Sequence, residues 1–97
     1  MIKYKTPYSD EETPVYLKHG TYANGGTPSM QLMDANDHFP FMTCTVNVPG
    51  LEMDEMAIKN YSENEGLLEF LVDEGVIEEP HRFIESGFVM LPVCRRK

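Results

Sequence analysis

Basic residues, cysteines and long apolar runs are all scarce in this chain. Eight Lys and Arg stand against sixteen Asp and Glu in 97 residues, a formal net charge of −8. Long-range repulsion therefore opposes encounter with phosphate backbones and anionic lipid, so neither direct nucleic-acid binding nor membrane binding is expected. No apolar run approaches the roughly 20 residues of a membrane span. Lys3 and Lys5 give the first residues positive charge, but no apolar stretch follows, and a secretory leader is not expected. The two cysteines, Cys44 and Cys94, lie far apart, each in a strand-like apolar stretch. Reduced, buried thiols in a cytoplasmic protein fit that placement. A disulfide would require their strands to be neighbours.

Chemistry-bearing patterns are equally sparse. His19, His38 and His81 do not pair with one another or with a cysteine at ligand spacing, and there is no Cys-x-x-Cys, so no metal site is expected. Gly25-Gly26 follows a strand pattern but opens no helix, which removes a phosphate-cradling loop and leaves no cofactor motif. A nucleophile built from Cys44 with His19 or His38 has no local signature. No catalytic residue is assigned.

What the sequence does contain is a pattern of short strands around one helix. The clearest signal runs from Ile58 to Gly75. Ser62-x-x-Glu65 reads as a capping box, in which Ser62 accepts from the Glu65 N–H and Glu65 reaches back. Leu67, Leu68, Leu71 and Val72, with Phe70 on the flank, form an apolar stripe at helical spacing, and Gly75 stands where a left-handed C-cap is wanted. Strands are predicted over Pro14–Tyr22, Met30–Met33, Phe41–Val48 and Met56–Tyr61, then shorter over Arg82–Ile84 and over Phe88–Cys94. Ala23-Asn24-Gly25-Gly26 signals a hairpin. Pro92 places the last strand at a sheet edge or a bulge, open to pairing with another chain.

The expectation is an α+β domain: an antiparallel β-meander of about five or six strands with one amphipathic helix packed on it. Residues 1–13, with little periodicity, are read as a flexible arm before a single domain over residues 14–97. A chain of this mass buries roughly 65% of its unfolded surface, enough for one modest core.

Charge is the most asymmetric feature. From Glu52 to Glu79 ten acids stand against Lys59 alone. Glu65, Glu69 and Asp73 are spaced to stack on one helix face, at a cost of about a few tenths of a kcal/mol per like-charged pair. That face is either simply solvated or a negative ridge for a basic surface on another protein. Tyr61, Glu63, Glu65, Glu69, Asp73 and Glu74 are the candidate contact residues. Tyr61 equally fits a ring closed over the helix start.

Tyr22-Ala23-Asn24-Gly25, Gln31-Leu32-Met33-Asp34, Thr45-Val46-Asn47, the run Ile58 to Gly66, Ser86-Gly87-Phe88 and Pro92-Val93-Cys94 carry a resemblance over about residues 14–95. The most specific part is Asn60-Tyr61-Ser62-Glu63-Asn64-Glu65-Gly66. On these residues the chain resembles a domain-of-unknown-function family of small proteins carried on conjugative elements and phages of gut anaerobic bacteria. The resemblance implies a cytoplasmic accessory protein of mobile DNA and brings no catalytic residues. Two functional expectations follow: a non-catalytic protein–protein interaction module, or an inhibitor of a host nucleic-acid or defence enzyme (anti-restriction or anti-CRISPR-like) acting by acidic DNA mimicry. The partner is a protein, and the chain itself a monomer or an edge-strand dimer.

Overall fold

Apolar–polar alternation becomes strand through most of the computed structural model, which describes residues 2–5, 11–23 and 26–97, with only the backbone described for Glu63. The first of two antiparallel sheets follows chain order: β1 (Ile2–Tyr4), β2 (Thr13–Thr21), β3 (Pro28–Asp34) and β4 (Pro40–Thr43). The second contains β5 (Thr45–Val46), β6 (Glu55–Ile58), β7 (Arg82–Ser86) and β8 (Val89–Arg95), arranged β5-β6-β8-β7. Between β6 and β7 comes a 3-10 turn, Ser62–Asn64, and then a helix, α1 (Leu67–Asp73). The class is the α+β expected. Eight strands in two sheets replace the single meander of five or six.

Cys44 explains the division. The strand predicted over Phe41–Val48 ends at Val46 and bends at Cys44, passing from one sheet to the other. The Cys44 N–H donates to the Met30 carbonyl at 2.9 Å, in the first sheet, while its own carbonyl accepts from the Lys59 N–H at 2.8 Å, beside the second. Thr45 completes the corner. Its hydroxyl accepts from the Met30 N–H at 3.2 Å and shares a 2.8 Å hydrogen bond with the Tyr22 hydroxyl. Cys44 and Thr45 are consequently both buried, which breaks the alternation in the way a sheet-switching corner requires.

Ile2–Tyr4 is a strand rather than the expected arm. It pairs with β2 from Ile2 opposite Val15 to Tyr4 opposite Thr13. Tyr4 is buried, its ring edge-on to Phe70 with centroids 4.7 Å apart and to Phe41 at 6.1 Å. Three residues are too short to show a period, so only the tertiary partners reveal the strand. Residues 6–10, in the rest of that arm, lie outside the described residues, as do Asn24 and Gly25 of the predicted hairpin turn. The flanks of that turn are paired from Thr21 opposite Pro28 to Val15 opposite Asp34.

The last strand corrects another expectation. β8 lies between β6 and β7, not at an edge. The β7–β8 ladder closes with Ser86 opposite Val89 across the two-residue turn Gly87-Phe88, and Gly87 has the positive φ of 59° that suits the first position of a type II′ turn. Counting back from that closing pair, Pro92 opposite Phe83 is a non-hydrogen-bonded position, so its ring nitrogen faces β6. The β6 register stops at Ala57 opposite Val93, one residue short of Pro92. The missing N–H therefore interrupts neither ladder.

Met30, Leu32, Met56, Ile58, Leu67, Leu71 and Ile77 make the centre of the core, with Val15 and Cys94. Each fully buried large side chain contributes about 1.5–3 kcal/mol over its exposed state. Leu67 and Leu71 are the inward residues of α1, and Leu68, Phe70 and Val72 pack against the same cluster at its margin.

Candidate functional site

The helix carrying the candidate carboxylates begins later than the capping box predicts. Ser62 takes a positive φ of 58° and its side chain caps nothing; the Glu65 N–H reaches the Ser62 carbonyl instead, at 3.2 Å. Gly66, at φ 91°, then redirects the chain into α1. The two asparagines of this run moor the junction. Asn60 Oδ1 accepts from the Leu68 N–H at 2.9 Å, supplying the N-terminal cap from eight residues upstream. Buried Asn64 donates through Nδ2 to the Thr43 carbonyl at 2.7 Å. At the other end Gly75 does what its position predicts. With φ 74°, it donates to the Val72 carbonyl while Val76 reaches the Leu71 carbonyl, each at 3.0 Å, a Schellman motif.

This geometry breaks up the expected stack. Glu65 lies in the turn before α1, so only Glu69 and Asp73 are four apart within the helix. Glu65, Glu69, Asp73 and Glu74 are nevertheless all exposed, and none forms an ion pair with a described residue. Tyr61 is half-buried, with the Lys59 ammonium 5.8 Å from its ring centre. The Glu63 side chain lies outside what is described.

The sequence pattern misses a second group entirely. Glu55, just before the predicted strand Met56–Tyr61 and counted there only among the acids, opens β6 and is 1% exposed. Arg82, which opens β7, grips its carboxylate through two bonds, Nη2 to Oε1 at 2.5 Å and Nε to Oε2 at 3.0 Å. His81 Nε2 donates to the same Oε2 at 2.5 Å, and the Glu52 N–H donates to Oε1 at 2.9 Å. Arg95 lies directly across the β6–β8 ladder, its Nη2 4.0 Å from Oε2. It is held there by Asp54 at 2.7 Å and Glu52 at 3.3 Å. The Arg82 guanidinium, followed by the Glu52 amide and His81, keeps the Glu55 carboxyl well below the ordinary carboxylate range against the opposing effect of burial. Arg82 Nη2 also donates to the Gly50 carbonyl at 2.9 Å, so the cluster ties the 50–55 loop to the β7–β8 hairpin.

Chemically, this group is a brace. With the His81 Nε2 proton directed at Glu55, the Arg95 nitrogen 3.2 Å away cannot donate to that atom, and both side chains converge on one carboxylate. No hydroxyl or thiol is hydrogen-bonded to His81 among the described residues. Cys44, the one thiol considered as a nucleophile, is fully buried and burial pushes its pKa up to about 12. Cys94 is likewise a buried free thiol. Among the described residues no three His, Cys, Asp or Glu are grouped to hold a metal ion. Two open grooves flank sheet edges. One of about 370 Å³ is lined by Lys3, Tyr4, Lys5, Glu65 and Phe70, and one of about 300 Å³ by Phe41, Thr43, Lys59 and Asn64.

No helix among the described residues is long and apolar enough to cross a membrane. No protein-family model, curated protein or solved structure matches the chain.

Proposed function

We propose that this chain is a non-catalytic interaction module that offers the carboxylates of α1 and its flanks to a basic surface on another protein. One observation carries this reading: the division of the acids. Glu55 is held by Arg82 and His81 and Arg95 pairs with Glu52 and Asp54, whereas Glu65, Glu69, Asp73 and Glu74 are exposed and form no ion pair with a described residue. Carboxylates left in water close together along the chain favour encounter with a cationic partner and speed association at low salt.

The narrower form, an inhibitor that covers a nucleic-acid-binding surface with carboxylates in the place of phosphates, draws on Glu69 and Asp73. They sit four residues apart, about 6 Å along the helix axis, as regularly spaced negative charges. The cytoplasmic, mobile-DNA setting implied by the family resemblance belongs to this proposal.

The experiment is affinity capture from the native host with the wild-type chain and with the Glu69→Lys/Asp73→Lys double variant. A protein retained by the wild type at low salt, released by added salt and lost with the double variant is the expected result. Capture that ignores both salt and the charge reversal removes α1 as the contact. Recovery of a basic nucleic-acid enzyme whose activity falls on binding selects the inhibitor; a partner of another kind selects the plain module.

A further inference from the structure

Among the described residues β7 is the sheet edge left open, and we propose that it pairs antiparallel with β7 of a second copy, joining the two second sheets into one of eight strands. The other edges are protected. β1 is three residues long and flanked by exposed Lys3 and Lys5. β4 begins at Pro40, its register with β3 shifts between Leu32 and Met33, and the Thr43 carbonyl is taken by Asn64. β5 is two residues. β7 has five residues in unbroken register with β8, and no proline, lysine or bulge. Short strands, lysine, proline and bulges are the usual devices against edge pairing, and β7 has none of them.

The polar groups available follow from the hairpin. Ser86 opposite Val89 closes a two-residue turn and is a hydrogen-bonded pair, so Ile84 and Arg82 also bond toward β8. Phe83 and Glu85 therefore turn their N–H and C=O groups outward, where no described residue meets them. Beside exposed Glu85, the side chains on that face are apolar and wet: Phe83 and Met90 are each 57% exposed, and Phe88 at the turn is fully exposed.

A second copy suits this edge better than an unrelated strand because the edge is self-complementary. A two-fold axis at Ile84 sets Phe83 opposite Glu85 of the second copy, so the two outward-facing residues exchange four N–H···O bonds. It also sets Arg82 opposite Ser86, and no like charges meet. An axis at Glu85 would oppose two carboxylates and is disfavoured. Although the chain is strongly acidic, residues 80–97 carry four bases and one acid, so copies meet where mutual repulsion is weakest. Arg82 is already turned toward Glu55 and presents no obstacle.

Sedimentation of the full chain over a range of concentrations tests the pairing, with two variants. Glu85→Pro removes an outward N–H without removing a bond to β8, and Phe83→Lys supplies the missing edge lysine. The expected result is a concentration-dependent wild-type dimer, with both variants monomeric and their circular dichroism unchanged. If Glu85→Pro does not fold, Phe83→Lys carries the test. A wild type that stays monomeric at every concentration, or that pairs only with a strand from another protein, overturns the proposal, as does dimerisation that persists in the variants. None of these outcomes touches the α1 surface. The Glu69→Lys/Asp73→Lys variant should dimerise as the wild type does, so the two readings fail separately.

Discussion

Glu52–Glu55 and Glu65–Glu74 are separated by little more than one strand and the turn into α1, and the fold treats them in opposite ways. The first group is built into the structure: its buried member receives four hydrogen bonds from Arg82, His81 and the Glu52 amide. The second stands in water on a helix and its flanking turns, the helix's other side being core. By composition they are one acidic run. A carboxylate's role depends on which donors reach it, and the side chains that reach Glu55 come from 26 and 27 residues further along.

The sharpest way to break this contrast is to remove Glu55. Glu55→Ala deletes charge-assisted bonds worth about 1.5–3 kcal/mol each. It also leaves the Glu52 amide without its acceptor. Because His81 and Arg82 are partly exposed and regain water, the net loss is expected to be on the order of 3 kcal/mol, read as a fall in the urea midpoint. A loss below about 0.5 kcal/mol would make the brace no more than a surface pair.

Acid should expose the same difference more gently. The Glu55 carboxyl titrates below its ordinary value of 4.5, chiefly because of Arg82, with the Glu52 amide and His81 also bonded to it and Arg95 4.0 Å away. A carboxylate depressed by folding contributes stability that is fully present above the unfolded value and is lost as pH falls through the folded one. Stability should therefore decline below about pH 4.5, and Glu55→Gln, which cannot ionise, should show a flatter decline from a lower starting point. Parallel urea-midpoint curves for the two proteins would show that Glu55 is not the titrating group.

How far these arrangements could be read from the chain depends on how local their causes are. The apolar stripe and the Gly75 cap were legible because every partner lies within a turn or two. The N-terminal end of the helix was not. Ser62-x-x-Glu65 has the right letters, but Gly66 turns the chain between them and the helix, and the cap comes from Asn60. Asn60→Ala should accordingly cost about 1 kcal/mol, measured by the thermal midpoint, while Ser62→Ala costs little. The reverse order would restore the capping box. The bend at Cys44 and the interior position of Pro92 escaped for a related reason: each is set by which strands flank it. Glu55 had one visible sign, the adjacent bases His81-Arg82 at the start of a strand pattern in an otherwise acidic region.

The smallest effect on stability is expected where the largest effect on binding is proposed. Glu69 and Asp73 are like charges four apart, a spacing that destabilises a helix by about 0.2–0.5 kcal/mol. Asp73 is also in the last turn, where the helix dipole favours a cation. Exchanging both for lysine replaces one like-charged pair with another; the lysine at 73 suits the last turn and the lysine at 69 opposes the dipole in the first, so the urea midpoint should stay level. A clear fall would mean that these carboxylates brace the fold as Glu55 does. If the midpoint holds while capture is lost, the fold gains nothing from keeping them acidic, and their use lies with whatever meets them.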